Sequence, residues 1–319
     1  MSLEHALNRA LSIRLNLQIT LSGLPIVEEW MDIHLDRWLE HIPSPPEMPM
    51  GHTVSYLAML GSDLRRMWWG AWGDPAGMVP KMADYLKLCN IAKSDAAILD
   101  AMGEKLEPKL VGSWVGVWGG KVSTGWHFWD PKPWEQVEPL FGTHEAKFKI
   151  KKWVADRKIE RVERFTQSIG ENAYTEIELA ESGTDVASQV AGIDEAFRQF
   201  TNAGLPASVI ETLKGAPHPS FGLTIRVRSG QITRIGAIVP GMPLEVLHGM
   251  CKDMNVPCDD GLDRLINTLA AEGPSRVEIG RAGERGGVDI YVEPTESAPK
   301  AKPGGPASPV APPPPSQAN

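Results

Sequence analysis

The stretch LTIRVRSGQITRIGAIVPG, from Leu223 to Gly241, decides the fold class of this chain. Its first half alternates between apolar and polar side chains, and Ser229 and Gly230 then interrupt a second β-rich run that ends at Pro240. Alternation with a period of two predicts a strand with one apolar and one polar face, and two such runs around a short glycine turn predict a β-hairpin. The stretch therefore predicts antiparallel strands that are covered by other elements on one face only.

The same shape recurs along the chain. Two β-rich runs flank a short turn in Val54–Pro75, in Ser113–Pro131 and, with a longer glycine-rich turn, in Ser275–Pro294. Single strand-like runs lie at Arg14–Ser22 and at Tyr174–Glu181, and the second falls where a period of about 55 residues would place a missing turn. Two strands for each hairpin and one for each single run predict about ten strands.

Between the hairpins, apolar residues recur with a helical period. The stretches with this period are Glu28–Ile42, Val79–Met102, Trp134–Ser168, Val186–Phe200, Leu244–Met254 and Leu262–Leu269. The sequence thus predicts an α+β fold, with repeated helix–hairpin (αββα) units around a roughly ten-stranded antiparallel β-barrel or sheet and helices on its outer face. Closure into a barrel would remove the edge strands and give the polar faces a lumen to line, and an open sheet is the alternative.

Composition excludes several classes of protein. The chain has 319 residues and a formal net charge of −8, which argues against nucleic-acid binding, and no apolar run is long enough to cross a membrane. The three cysteines form no metal or redox motif, and the N-terminus lacks the pattern of a signal peptide, so we expect a cytoplasmic protein. We expect one domain over residues 1–294. Residues 295–319 are expected to be a disordered proline-rich tail, in which the run of four prolines at 312–315 offers a docking segment to a protein partner.

The predicted architecture resembles that of the ABBA-type (PT-barrel) aromatic prenyltransferases. The segments that carry the resemblance best are Asn202–Pro240 and Glu272–Glu293, where a helix end leads into a hairpin. The resemblance implies a transferase of secondary metabolism that moves an isoprenyl group from an allylic diphosphate to an aromatic acceptor, either a small molecule or a peptide. It implies no required cofactor and leaves magnesium as an option.

The resemblance also implies where the diphosphate would bind. Family members hold it with Arg and Lys from several strands, and here Arg226, Arg228 and Arg234 lie on neighbouring strands, with Arg66 or Lys121 as additions. The alternative is that these arginines neutralise carboxylates in a mixed polar lumen.

An acidic residue orients or deprotonates the aromatic acceptor in the family. Glu176 and Glu278 are the candidates that we favour for this role, and Glu178 and Asp289 are further candidates.

Aromatic side chains would shield an allylic cation from water. The candidates for this wall are Trp114, Trp118, Trp126 and, on the polar face of the last strand, Tyr291. The alternative for the tryptophans is packing beneath the helices.

Two charged motifs have simpler interpretations. The sequence Asp259–Asp263 matches the DDxxD pattern that binds magnesium and diphosphate in all-helical isoprenyl synthases, but its aspartates open a predicted helix and favour N-terminal capping, so we expect no metal site. The lysines in AKFKIKKW, residues 146–153, are interpreted as a solvated face.

The alternative to an enzyme is a non-catalytic ligand-binding or protein-interaction protein with the same architecture.

Overall fold

The structure of the protein, a computed structural model, describes a defined part of the chain. The described residues are 55–60, 66–88, 93–118, 121–128, 130–170, 173–181, 183, 185–215, 221–240, 242–256, 276–283 and 285–292. The predictions for Arg14–Ser22, Glu28–Ile42, Asp259–Asp263, Leu262–Leu269 and the tail at 295–319 lie outside these residues.

One antiparallel sheet dominates the described residues, and it contains eleven strands. They are β1 (Ser55–Leu60), β2 (Arg66–Gly73), β3 (Val111–Trp118), β4 (Lys121–Phe128), β5 (Lys132–Pro133), β6 (Arg161–Ile169), β7 (Thr175–Ala180), β8 (Gly222–Arg228), β9 (Gln231–Pro240), β10 (Arg276–Ala282) and β11 (Arg285–Val292). The α+β class and the antiparallel sheet are thereby confirmed.

The strand order is β4-β3-β2-β1-β11-β10-β9-β8-β7-β6-β5. Five pairs of consecutive strands form hairpins, namely β1–β2, β3–β4, β6–β7, β8–β9 and β10–β11. Strand β1 also pairs with β11, so the first and last described strands are neighbours. In addition β4 pairs with β6, from Thr124 opposite Ile169 to Phe128 opposite Phe165. The first strand of this order, β4, therefore pairs with the last strand but one, β6, which also pairs with β5 at the end.

Helices fill the connections between the hairpins, as the sequence predicts. They are α1 (Pro75–Leu88), α2 (Lys93–Leu106), α3 (Trp134–Val137), which continues into a 3-10 turn at Glu138–Phe141, α4 (Glu145–Asp156), α5 (Val186–Thr201), α6 (Ala207–Lys214) and α7 (Leu244–Asp253). The best-defined start is that of α5, where Asp185 accepts from the backbone N–H of Ser188 and the Ser188 hydroxyl lies beside the backbone N–H of Asp185.

The hydrophobic core lies between these helices and one face of the sheet. Ile193 and Phe197 of α5 and Ile177, Ile225 and Ile235 of the strands are 0% exposed and belong to one cluster. Each of these strand residues occupies an apolar position of its alternating run. Burial of this apolar face is the main force that holds the helices on the sheet.

One element contradicts the sequence prediction. The helical pattern assigned to Trp134–Ser168 is correct for α3 and α4, but Arg161–Ile169 forms strand β6. The pairing of β6 with β7 shifts register between Val162 and Arg164, and nearly all of β6 is buried. A bulge breaks the alternation and burial on both faces removes it, so the strand has no period of two for the sequence to reveal.

No helix among the described residues combines the length and the apolar character that crossing a lipid bilayer would require.

Candidate functional site

The polar face of the sheet, opposite the helices, carries most of the candidate residues. Register places Glu176 of β7 opposite Arg226 of β8, and Arg226 opposite Arg234 of β9, so the three form one row across adjacent strands. On the next strands Glu278 lies opposite Asp289. These positions follow directly from the alternation of each run, which puts every second side chain on this face.

The first cluster of charges surrounds Glu176. The Nε and Nη2 atoms of Arg226 lie 2.7 Å and 2.6 Å from Oε2 of Glu176, a forked contact between guanidinium and carboxylate. Arg164 of β6 approaches the other oxygen of Glu176 at 3.5 Å and lies 2.9 Å from Oε2 of Glu178. Two arginines therefore share two glutamates.

The second cluster surrounds Arg234. Its Nη2 atom lies 3.3 Å from Oε1 of Glu278 and forms an ion pair with Oδ2 of Asp289. The hydroxyl of Thr224 donates a hydrogen bond of 2.8 Å to Oε1 of Glu278. Arg234 thus lies between two carboxylates.

Two glycines on the same face make room for these long side chains. A Cβ at Gly280 would lie 2.6 Å from Nε of Arg234, and a Cβ at Gly236 would collide with the carboxylate of Glu278 and the hydroxyl of Thr224. The side chains of Arg234 and Glu278 therefore lie across positions where the neighbouring strand has none.

Burial sets the electrostatics of both clusters. Glu278 and Asp289 are 0% exposed, and Arg226 and Arg234 are 8% and 7% exposed. Burial alone would raise the pKa of Glu176, but the positive charges of Arg226, Arg164 and Arg234 outweigh it and hold that pKa at about 2.

The same balance applies at Glu278. Burial opposes its ionised form most strongly, but Arg234, Arg226 and the hydrogen bond from Thr224 together outweigh it and lower the pKa of its carboxyl group. The pKa of both Arg226 and Arg234 is raised, because the carboxylates around them outweigh the desolvation of the guanidinium groups. All of these groups are therefore ionised at neutral pH.

Aromatic rings adjoin the first cluster. The Cζ atom of Arg226 lies 4.1 Å from the centroid of the Tyr174 ring, and the Tyr174 ring stacks on Trp114 with a centroid separation of 6.2 Å. Trp114 also stacks on His127 with a centroid separation of 6.0 Å, and Nδ1 of His127 lies 2.8 Å from the hydroxyl oxygen of Thr166. A row of rings thus leads from β4 to the guanidinium of Arg226.

The other predicted site residues lie away from these clusters, or their side chains are outside the described set. Trp126 is on the opposite face from Trp114, where it stacks on Phe128 in the hydrophobic core. Arg228 is exposed at the end of β8. The backbones of Trp118 and Tyr291 pair with neighbouring strands, but their side chains, like those of Arg66 and Lys121, lie outside the described set.

Sequence reasoning missed Arg164 and His127. Arg164 lies in the strand that was assigned to a helix, so its face could not be assigned. His127 sits between the aromatic residues of β4, and alternation from Gly125 would have placed it on the polar face together with Trp114.

In the described ranges no group of three or more His, Cys, Asp or Glu side chains is arranged to hold a metal ion. The buried carboxylates face guanidinium groups instead, and these supply the positive charge that a cation would otherwise bring.

Comparison with known proteins adds a sequence relative of low identity. A PH domain-containing protein of Dictyostelium discoideum is 20% identical over 263 residues, which make up 80% of this chain and 57% of that protein. The chain therefore spans little more than half the length of this curated relative. No family model matches the chain.

Solved structures give the clearer similarity. A 6-dimethylallyltryptophan synthase from Micromonospora olivasterospora, solved in complex with DMASPP and Trp, is 11% identical with a TM-score of 0.64, and the match covers 92% of this chain and 97% of that one. A 5-dimethylallyltryptophan synthase from Streptomyces coelicolor matches with a TM-score of 0.54 at 11% identity, over 92% and 97% of the two chains. AnaPT from Neosartorya fischeri matches with a TM-score of 0.56 at 11% identity, over 88% and 90%. In its architecture the chain resembles the ABBA-type aromatic prenyltransferases.

Proposed function

We propose that the pairing of β4 with β6 closes the sheet into a barrel of αββα units, and that its polar face binds an allylic diphosphate beside an aromatic acceptor. The observation that carries the proposal is the convergence of Arg226 and Arg234, from adjacent strands, next to the Tyr174 and Trp114 rings. Guanidinium groups suit phosphate oxygens, and ring faces suit an allylic cation. The architecture shared with dimethylallyltryptophan synthases supports the same assignment.

In this proposal the allylic C–O bond breaks and the diphosphate leaves toward Arg226 and Arg234. Arg228, at the exposed end of β8, is the third arginine assigned to the diphosphate. A carbon–carbon bond then forms between the allylic carbon and the aromatic ring, and the released diphosphate accepts the proton that the attacked ring carbon loses. Glu176 or Glu278 orients the acceptor. A carboxylate with a lowered pKa is a weak base, so it accepts a hydrogen bond from the acceptor rather than taking its proton.

The aromatic side of the site is assigned to Trp114 and Tyr174, with Trp118 and Tyr291 as further members from the neighbouring strands. Trp126 contributes to the core instead, because it packs against Phe128 beneath the helices. No cofactor is required in this proposal, and magnesium would act only by accompanying the diphosphate.

One observation favours a second candidate, a non-catalytic protein with the same architecture. Arg226 and Arg234 already have carboxylate partners, and both are less than a tenth exposed. A diphosphate must compete with Glu176 for Arg226. If it does not, the network is a buried structural element.

The two candidates are separated by thermal shift and calorimetry with dimethylallyl and geranyl thiolodiphosphates, with and without magnesium, and with pyrophosphate as a control. If the site binds diphosphate, a ligand at about 100 times its dissociation constant stabilises the chain by about 2.7 kcal/mol. Glu176→Gln should then tighten binding, because it removes the competing carboxylate charge.

The matched negative variant is the double change Arg226→Met with Glu176→Gln, which removes the pair without leaving a buried charge unpaired. It should abolish the shift, and Lys87→Ala on the exposed surface of α1 should keep it. Absence of a shift with every diphosphate, in both the unmodified chain and Glu176→Gln, would reject the transferase and leave the non-catalytic candidate. Transfer to indole and tryptophan is assayed once binding is established.

A further inference from the structure

Helix α4 carries a concentration of positive charge that neither candidate function uses. Between residues 145 and 158 the chain has six basic residues and two acidic ones, whereas the whole chain has a formal net charge of −8. The basic residues are Lys147, Lys149, Lys151, Lys152, Arg157 and Lys158. This segment is therefore locally basic in an acidic protein.

The same helix exposes a large aromatic side chain. Phe148 is 63% exposed, more than any other described large hydrophobic residue, and Ile98 follows at 41%. An isolated exposed apolar residue is ordinary on a protein surface, but this one lies within the basic segment.

The packing of α4 fixes the direction of Phe148. Ala146, Ile150, Trp153 and Val154 are buried and hold the helix on the core. Phe148 is two residues from Ala146 and two from Ile150, about 200° around the helix from each, so it points away from the core.

Lysines flank Phe148 on this outward side. The side chains of Lys149, Lys151 and Lys152 are 56%, 57% and 71% exposed. Together with Phe148 they form what we call the Lys–Phe face. Lys149 and Lys152 pair with Glu145 and Asp156 in solvent-exposed ion pairs, which are weak and exchange readily for another anion. Lys151 pairs with Glu138, which is 17% exposed and also pairs with Lys147, so two lysines share that one carboxylate.

We propose that the Lys–Phe face docks the protein on an anionic lipid surface, with the Phe148 ring in the interfacial layer and the three lysines on lipid phosphates and carboxylates. One exposed ring projects from the outward side of the helix, and a bilayer accepts such a ring without a preformed pocket. An acidic protein partner would need an apolar pocket placed inside a ring of carboxylates. Basic side chains near a membrane surface and an aromatic ring at its interface act together in this way.

The test uses the full chain and vesicles of phosphatidylcholine with roughly 30% phosphatidylserine, against vesicles of phosphatidylcholine alone. We expect sedimentation with the anionic vesicles only, and its loss at high salt, because exposed charges are screened within about 3 Å at 1 M salt. Lys151→Ala with Lys152→Ala should lower the partition coefficient at least about tenfold. Phe148→Ser should lower it severalfold at unchanged salt dependence, since the ring contributes burial rather than charge.

Matched controls come from the same chain. Lys87→Ala with Lys214→Ala removes two exposed lysines of other helices, and Ile98→Ser removes another exposed apolar side chain. Both should bind vesicles as the unmodified chain does. All of the altered side chains are exposed, so unchanged circular dichroism and thermal midpoints are expected throughout.

The proposal is overturned if the anionic vesicles do not bind the chain, or if the control variants weaken binding as much as the variants of the Lys–Phe face. It is also overturned if poly-glutamate binds as well as the vesicles and Phe148→Ser has no effect, which would assign the face to an acidic macromolecule. None of these outcomes depends on whether the polar face of the sheet binds a diphosphate.

Discussion

Both faces of the sheet bury side chains among the described residues, but the buried side chains of the two faces differ in chemistry. Toward the helices, Ile177, Ile225 and Ile235 are 0% exposed within a cluster of apolar residues. On the opposite face Glu278 and Asp289 are equally buried, but they surround Arg234. Arg234 and Ile235, neighbours in β9, thus meet an ionic environment on one face and an apolar environment on the other.

The difference teaches how each face responds to change. In an apolar core, shortening a side chain lowers the free energy of unfolding roughly in proportion to the buried apolar area that is removed. In a buried ion pair the effect depends on the partner, because removing one charge leaves the other charge buried and uncompensated. The two faces should therefore differ in whether their substitutions are additive.

The largest effect is expected from Arg234→Ala, which leaves Glu278 and Asp289 buried without this cation. We expect a loss of about 3–5 kcal/mol in the free energy of unfolding, measured by urea denaturation. Arg228→Ala, at the exposed end of β8, should change it by less than about 0.5 kcal/mol.

A triple substitution tests whether the loss in Arg234→Ala comes from the carboxylates left without this cation. Arg234→Met with Glu278→Gln and Asp289→Leu removes the charges together and should recover much of the loss. If the triple variant is less stable than Arg234→Ala alone, the two faces do not differ in the way described.

The matching change on the apolar face is Ile177→Ala, which creates a cavity beside Phe165 and Ile225. We expect a loss of about 2–5 kcal/mol in the same denaturation experiment. Combined with Leu247→Ala in α7, a core change on a different element, the losses in free energy of unfolding should add. Strongly non-additive losses at these two sites would contradict the expectation that apolar substitutions act independently.

Acid should weaken the polar face selectively. The pKa of Glu176 in the folded chain, about 2, lies below its ordinary 4.5, so its contribution to stability is complete above about pH 4.5 and is lost as the pH falls toward 2. The loss is at most about 3 kcal/mol. Unfolding midpoints in urea at about pH 6 and about pH 3 measure it.

Glu176→Gln is the control for this titration. It should be less stable at neutral pH, because Arg226 loses a charged partner, and its stability should depend less on pH. Equal pH dependence in the two chains would assign the acid sensitivity to other carboxylates.

The smallest of these effects is expected from Gly236→Ala. The added methyl group would meet the Glu278 carboxylate and the Thr224 hydroxyl, and it should cost about 1–3 kcal/mol. Gly249→Ala in α7, where a Cβ meets nothing within 4 Å, is the matched control and should be neutral or stabilising. Thermal midpoints compare the two variants, and an equal response would deny that glycine is needed on the polar face.

The sequence predicted much of this arrangement because alternation is a local property. It placed Ile225 on one face and Arg226 on the other, put Arg234 beside Arg226 on the neighbouring strand, and predicted the hairpin that joins their strands. It failed at Arg161–Ile169, where a bulge and burial on both faces hide the period. It also could not place Trp126, since a tryptophan suits a core as well as a ligand wall.

By itself the sequence determined the α+β class, the hairpins and the polar character of one sheet face, since all three follow from spacings of a few residues. Only the tertiary structure decided which charges meet. Glu278 and Thr224, which form a hydrogen bond, are 54 positions apart in the chain, and Glu176 and Arg226, which form an ion pair, are 50 apart. The pairing of β4 with β6 was decided in the same way. The physical reason is that partner choice between strands depends on register across the whole sheet, which no local pattern records.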